Sequence, residues 1–265
     1  MSWTVPGVIS HHRALMSIEY IRVLNVHGDK PTVGGVYGTV NVQDFMGVHK
    51  VYDRSLVDFE KKGPGDDLTL IGPDRPCGVS GYDWSVISVN LRGVDPDIEI
   101  VQGDVVWETR VENRTFANYS KRLERVVTGK HGSAAVGFSV MEYALCATVT
   151  VVLLNHGQDG GEKPAHVYGT IKASQLIGGS STSLTLFDKS SDECVEVYPK
   201  NDIVLTRSIV VVPLDDGITI SVSLCDSNDR EIAKGNVNFD SVYGPQTKTI
   251  YGSEHGEVEV SIFSA

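Results

Sequence analysis

Three sets of side chains in this 265-residue chain have types and spacings that suggest chemistry. The first is a set of histidines, His27 with His156 and His131 with His255, which recur at matching places in the two halves. Imidazoles placed symmetrically suit a metal site or acid–base work. Each, however, is followed at once by a glycine at the start or end of a strand-like run, so the expectation is a turn position whose ring bonds local backbone. The second set is acidic. Asp95-Pro-Asp97 and Asp226-Ser-Asn-Asp229 fall in equivalent loops of the two halves. Calcium takes six or more oxygen ligands, so a site there also needs carboxylates from a second loop, with Asp44 and Asp53 the candidates by position. Turns select Asp and Asn without any metal, because these side chains bond the local backbone. No metal and no other cofactor is expected.

The third set is basic. From residue 110 to 130 the chain carries Arg110, Arg114, Lys121, Arg122, Arg125 and Lys130 against Glu112 and Glu124, a local net charge of +4, with Phe116 and Tyr119 interleaved. The whole chain is acidic, at −11. A basic, aromatic-bearing patch on an acidic protein can steer an anionic partner, RNA or a ribosome included. Arg110, Arg114, Phe116, Tyr119, Lys121, Arg122, Arg125 and Lys130 are therefore the candidate partner-binding residues. Nothing in the second half is read as a counterpart of this segment, and a helical turn is expected over Ser120–Val127.

Enzyme signatures are missing. The sequence has no G-x-S-x-G, no H-E-x-x-H, no phosphate-binding loop and no G-x-G-x-x-G. No apolar run approaches the roughly 20 residues of a membrane-spanning helix. The first residues lack a basic stretch followed by an apolar core, so no secretory signal is read and a cytoplasmic setting is expected. Four cysteines without paired spacing are expected to stay reduced there, and the sequons at Asn113 and Asn118 to stay idle.

The elements that must hold these residues are given by an internal repeat. Val36-Tyr37-Gly38-Thr39-Val40 returns as Val167-Tyr168-Gly169-Thr170-Ile171. Further matches follow in the same order: Tyr52-Asp53-Arg54-Ser55 with Phe187-Asp188-Lys189-Ser190, Asp67–Leu70 with Asp202–Leu205, and Ile87–Val89 with Ile220–Val222. Gly103 and Trp107 match Gly235 and Phe239, and His131-Gly132 matches His255-Gly256. A period this long marks a duplicated domain. Short alternating runs such as Trp84–Leu91 and Ile218–Asp226, punctuated by Gly and Pro, read as strands, and helical periodicity is weak. The expected fold is all-β, with two tandem duplicated antiparallel β-sandwiches of C2-like type. Residues 1–15 form an irregular lead-in, 16–142 the first repeat and 143–265 the second.

With the segments assembled, the chain resembles an uncharacterised domain family of cereal grasses over roughly residues 15–263. The resemblance is carried by Val36–Val40, by Leu70-Ile71-Gly72-Pro73, by the Gly132–Val140 run leading into Ala147–Val152, and by Ser208–Val212. Some members follow a ribosome-inactivating rRNA N-glycosidase domain, which implies a setting in plant defence. The Glu-Ala-Ala-Arg motif of that glycosidase is absent from this chain. The expected function is a non-enzymatic binding or interaction module with a protein partner, and with ribosome or RNA contact through the basic segment. The alternatives are an enzyme with its site in the cleft between the repeats, and a protein that self-associates into homo-oligomers through strand edges. Depurination needs a positioned acid, an arginine and stacking aromatics. Purified ribosomes incubated with this chain alone are therefore expected to release no adenine, and release at catalytic protein levels would refute that.

Overall fold

The computed structural model describes residues 13–26, 34–76, 78–94, 97–109, 118–157, 163–253 and 255–264. Strands account for nearly all of the regular structure. The first repeat contains β1 (Arg13–Val26), β2 (Val36–Asp44), β3 (Gly47–Arg54), β4 (Val79–Ser80), β5 (Trp84–Val94), β6 (Asp97–Glu108) and β7 (Arg122–Thr128). A single long strand, β8 (Gly132–His156), then leads into the second. That repeat continues with β9 (Ala165–Ile177), β10 (Ser180–Lys189), β11 (Val195–Val197), β12 (Asn201–Asp202) and β13 (Ile209–Pro213). It closes with β14 (Ile218–Asp226), β15 (Glu231–Phe239), β16 (Gly244–Tyr251) and β17 (Gly256–Ser264).

The alternation in the sequence becomes one buried and one exposed face on each strand. In β14, Ile218, Ile220, Val222 and Leu224 are buried while Thr219, Ser221 and Ser223 are not. Two sheets with the same strand order result, the four-stranded β3-β2-β5-β6 and the five-stranded β10-β9-β14-β15, in which β11 also pairs with β9. Each packs on one half of an antiparallel sheet that runs through both repeats. In the first half β8 lies between β7 and β1, and β1 carries β4 at its far side. In the second half β17 lies between β16 and β8, and β8 carries β13. The C-terminal half of β8 thus stands where β1 stands in the first repeat. Two apolar cores fill the two sandwiches, one around Trp107, Tyr52 and Phe138 and the other around Phe187 and Phe239. The protein is all-β, with two duplicated antiparallel β-sandwiches.

The repeated Val-Tyr-Gly-Thr motif has a backbone cause. Gly38 sits at φ +126° and Gly169 at +121°. A Cβ on Gly38 would meet the Asn90 carbonyl oxygen at 2.1 Å, and one on Gly169 would meet that of Ser223 at the same distance. Only glycine accepts this turn of the backbone against a neighbouring strand. The adjacent tyrosines are repeated in kind. Tyr37 donates to Asp97 Oδ1 at 2.7 Å and Tyr168 to Asp229 Oδ1 at 2.6 Å, so each ties the central strand of its sheet to an equivalent acidic turn.

Several expectations are corrected. Residues 120–127 are not helical: Arg122–Thr128 is β7, paired along its length with β8, because Leu123 and Val127 supply a strand's inward face. This strand has a counterpart. The turn Gly129 N to Gly132 O and the turn Gly252 N to Gly256 O, both 2.8 Å, align β7 with β16. Leu68–Ile71 forms a crossing segment, held by bonds such as Leu68 N to Ile21 O at 2.8 Å. The apolar run Ile203–Val212 leaves the sheet between β12 and β13, with Val204 82% exposed. β1 also begins earlier than read, at Arg13, and the 142/143 repeat boundary falls inside β8.

Gly38→Ala and Gly169→Ala are each expected to cost at least about 2 kcal/mol, since strained backbone and a collision with main chain combine. Urea unfolding measures this. A loss below about 0.5 kcal/mol at either site would contradict the account.

Candidate functional site

The outer face of the shared sheet in the first repeat is covered by the second repeat, and its rows grade from apolar to polar. Ile18 and Phe138 face each other across β1 and β8 and point into the first core. The neighbouring rows therefore point the other way. Leu15 and Met141 form one such row and pack with Ile177, Ile209 and Val211 of the second repeat in a small third core. The next row is Ser17 opposite Ser139, both fully buried, with the Ser139 hydroxyl turned toward Glu19. A register shift between Ile18 and Tyr20 then brings Glu19 onto this face beside Ser139. The Glu19 side chain is 3% exposed, and its Oε2 receives Arg122 Nε at 2.7 Å. Burial pushes the Glu19 carboxyl above its ordinary pKa, opposed by the Arg122 guanidinium, the Ser139 hydroxyl and the charge of Arg207.

Arg207 comes from the second repeat, on the segment that leaves the sheet. Thr206 N and Arg207 N both donate to the Leu186 carbonyl, which turns the arginine inward. The residue is 2% exposed. Its Nη1 donates to the Ile18 carbonyl of the first repeat at 2.7 Å, and its Nε to the Ile209 carbonyl at 3.2 Å. Its Nη2 has no partner. Burial pulls the guanidinium down to about 10, against the negative charge of Glu19 and the Cys146 thiol. It remains charged at neutral pH.

Glu19 and Arg207 line a cleft of about 240 Å³ between the sandwiches. The first repeat supplies Tyr20 and the Lys62–Leu70 crossing segment, and the second supplies Ser183, Thr185 and Asp188 of β10 with Thr206. Tyr20 donates to Glu124 Oε2 of β7. Burial first, then this carboxylate, pushes the Tyr20 phenol up to about 12. Arg22 and Arg122 both stack on its ring, at 4.9 and 5.2 Å. Arg22 also grips Asp67 at 2.8 Å. Chemically the site offers a buried cationic donor, a buried carboxyl and several wall hydroxyls.

Of the eight candidate partner-binding residues, Arg110, Arg114 and Phe116 lie outside the described residues. Arg122 is brought to the cleft through Glu19. Tyr119 packs edge-on against Trp107, with ring centres 5.8 Å apart. Arg125 Nη1 donates to the Glu124 carbonyl, while Lys121 and Lys130 are exposed. The acidic turns are engaged locally. Asp97 holds Tyr37 and Arg92, Asp226 holds the backbone N–H groups of Asn228 and Arg230 together with the Arg230 side chain, and Asp53 holds Lys50. Asp44 is buried and accepts from the backbone of Met46, Gly47 and Ser80. Among the described residues no group of three or more His, Cys, Asp or Glu is placed to hold a metal ion. His156 Nε2 lies 3.0 Å from the Lys163 carbonyl, and His255 takes a positive φ of 66°. Asp95 and His27 lie outside the described residues. Sequence reasoning missed Glu19 and Arg207. The available signal was a lone charge buried in each of two largely apolar runs, Ser17–Ile21 and Ile203–Val212.

The fold and site define a two-sandwich all-β protein with a polar cleft between its repeats. Residues 15–262 match the model of DUF6598, a domain of unknown function, and the chain belongs to that family. No curated protein matches it. Among solved structures it is similar to the human GIVD cytosolic phospholipase A2, at 9% identity and a TM-score of 0.30. That match covers 96% of this chain, which spans only 30% of the phospholipase. It is also similar to the tandem C2 domains, A and B, of Extended-Synaptotagmin 2, at 8% identity, 99% and 95% coverage of the two chains and a TM-score of 0.28. The calcium-bound form of those domains gives 9%, 96% of both chains and 0.27. Scores at this level carry no function across. No helix is long and apolar enough to cross a membrane among the described residues.

The raised Glu19 pKa makes a signed prediction. A carboxyl whose folded pKa lies above its unfolded value near 4.5 stabilises most below that value and loses the contribution as pH rises through the folded pKa. Glu19→Gln does not titrate. The variant should therefore gain stability relative to wild type between pH 4.5 and neutrality, read from urea midpoints at both. A relative loss over that interval would show that the Arg122 pair outweighs burial.

Proposed function

We propose that the protein is a non-enzymatic binding module whose small-ligand seat is the cleft between its two sandwiches. The observation that carries this reading is Arg207, a guanidinium at the repeat interface with one amino group unmatched beside a buried carboxyl. Buried polar atoms are nearly always hydrogen-bonded in folded proteins, and unmatched ones gathered at a cavity mark a place where something else completes them. The enzymatic alternative uses the same cleft and is favoured by the upward shift of the Glu19 pKa alone, since burial moves such a carboxyl toward the range in which it exchanges protons. The setting in plant defence and the cytoplasm, like the ribosome contact, rests on the resemblance and on sequence. With Arg122 tied to Glu19 and Tyr119 to Trp107, that contact would fall first to Lys121 and Lys130.

The cleft can be blocked from its exposed wall. Thr185 lies on β10 with its side chain exposed, so Thr185→Trp fills the opening without touching either core. Thermal melts against sugars, amino acids, dicarboxylates, nucleotides and polyamines are expected to show at least one class that raises the wild-type midpoint by a few degrees. The rise should vanish in Thr185→Trp, and the compound should be recovered unchanged. A rise that survives the block would move the site elsewhere, and a consumed compound would make the protein an enzyme.

A further inference from the structure

Resting on the cleft as the binding seat, we infer that its ligand is a neutral polyhydroxylated molecule, a single sugar ring held through its hydroxyl groups. Charge is the first argument. The lining carries Glu19, Asp66, Asp67 and Asp188 against Lys62 and Arg207. Arg122 on Glu19, Arg22 on Asp67 and Glu124 on Tyr20 then bring the local tally to five negative and four positive charges. A lining so nearly balanced gives no strong field to gather a phosphate, a polycarboxylate or a polyamine.

Donor geometry is the second argument. An arginine that recognises a carboxylate or phosphate presents two parallel N–H groups as a fork. Here Nε is spent on the Ile209 carbonyl and Nη1 on the Ile18 carbonyl. Only Nη2 is left, a single amino group. Close by stands Glu19, whose Oε2 holds Arg122 and whose carboxylate lies beside the Ser139 hydroxyl, with lone pairs left for a further donor. The group that satisfies such a pair must accept from one and donate to the other, and a hydroxyl does both. The walls repeat the demand, because Thr69, Ser183, Thr185 and Thr206 present further hydroxyls.

Size and stacking complete the case. About 240 Å³ lies below the roughly 300–1,000 Å³ typical of drug-sized ligands and suits one ring rather than a chain. Both nearby guanidinium groups already stack on Tyr20, so its ring is not offered to a nucleobase. Recognition falls to hydrogen bonds between groups that are all well hydrated when apart, which sets a weak, millimolar affinity.

The test is titration of ¹⁵N-labelled protein with the methyl glycosides of glucose, galactose, mannose and xylose, beside sodium phosphate, citrate and spermidine. The expected result is a saturable, single-site shift of amides on β1, β10 and the Thr206–Arg207 segment with at least one glycoside. Thr185→Trp should abolish it, and Glu19→Gln should weaken it about tenfold or more. Binding of phosphate, citrate or spermidine at these amides without any glycoside would overturn the sugar and leave the cleft as a binding seat. No saturable shift with any probe would mean that water alone fills the cleft, and would overturn both readings. A glycoside response unchanged in Glu19→Gln would overturn the hydroxyl-matching argument.

Discussion

A guanidinium taken fully out of water has to be answered on several sides at once, and Arg207 organises the junction of this molecule for that reason. It belongs to the second repeat yet donates to the backbone of the first, at Ile18. Satisfying it fixes the distance and angle between the two sandwiches, because a carbonyl in a paired strand does not move to meet a donor. Removing one partner of such an arrangement leaves an uncompensated charge and costs far more than the arrangement contributes. The apolar cluster of Leu15, Met141, Ile177, Ile209 and Val211 excludes water from one side of the seam. Glu19, pinned by Arg122, supplies the opposing charge on the other.

The duplication shows what the scaffold needs and what it is free to change. Both repeats keep the glycine that lets one strand pass close to a neighbouring carbonyl, and both keep the tyrosine that ties this strand to an acidic turn. Elsewhere they part. The first repeat buries Asp44 beside His49, at 3.4 Å, where the second has Gln175 and Leu184. The asymmetry at the junction is of another kind. Each repeat shows a different face to it, so Glu19 and Arg207 are not equivalents, and no symmetric pair of sites follows from the symmetric folds.

Fold class was legible in the sequence because inward and outward residues alternate wherever one face of a strand is buried, as in β5 and β14. The repeat was legible because glycine at Gly38 and Gly169 answers a steric demand that no other residue meets. Two features misled. Val126 and Val127 sit among charges that suggest a solvated turn, yet the strand they form is held by β8, a partner no local pattern reveals. Ile203–Val212 has the composition of one strand, but its first half crosses between strands, and that crossing turns its single arginine inward. Arg207 of the cleft is held by the Ile18 carbonyl, 189 positions away. Distance of that kind leaves no periodicity to read.

The 25 residues of β8 are the last strand of one sandwich and the opening strand of the next. A chain leaving the ribosome folds in units from its N-terminal end. Here the first sandwich closes only when Gly132–Ala144 pairs with β1, and the same strand, still emerging, already presents the edge on which β13 and β17 will build. The second repeat thus shares its first strand with the last strand of the first. The two sandwiches are joined as links forged on a common bar, and a break in that bar would unmake both.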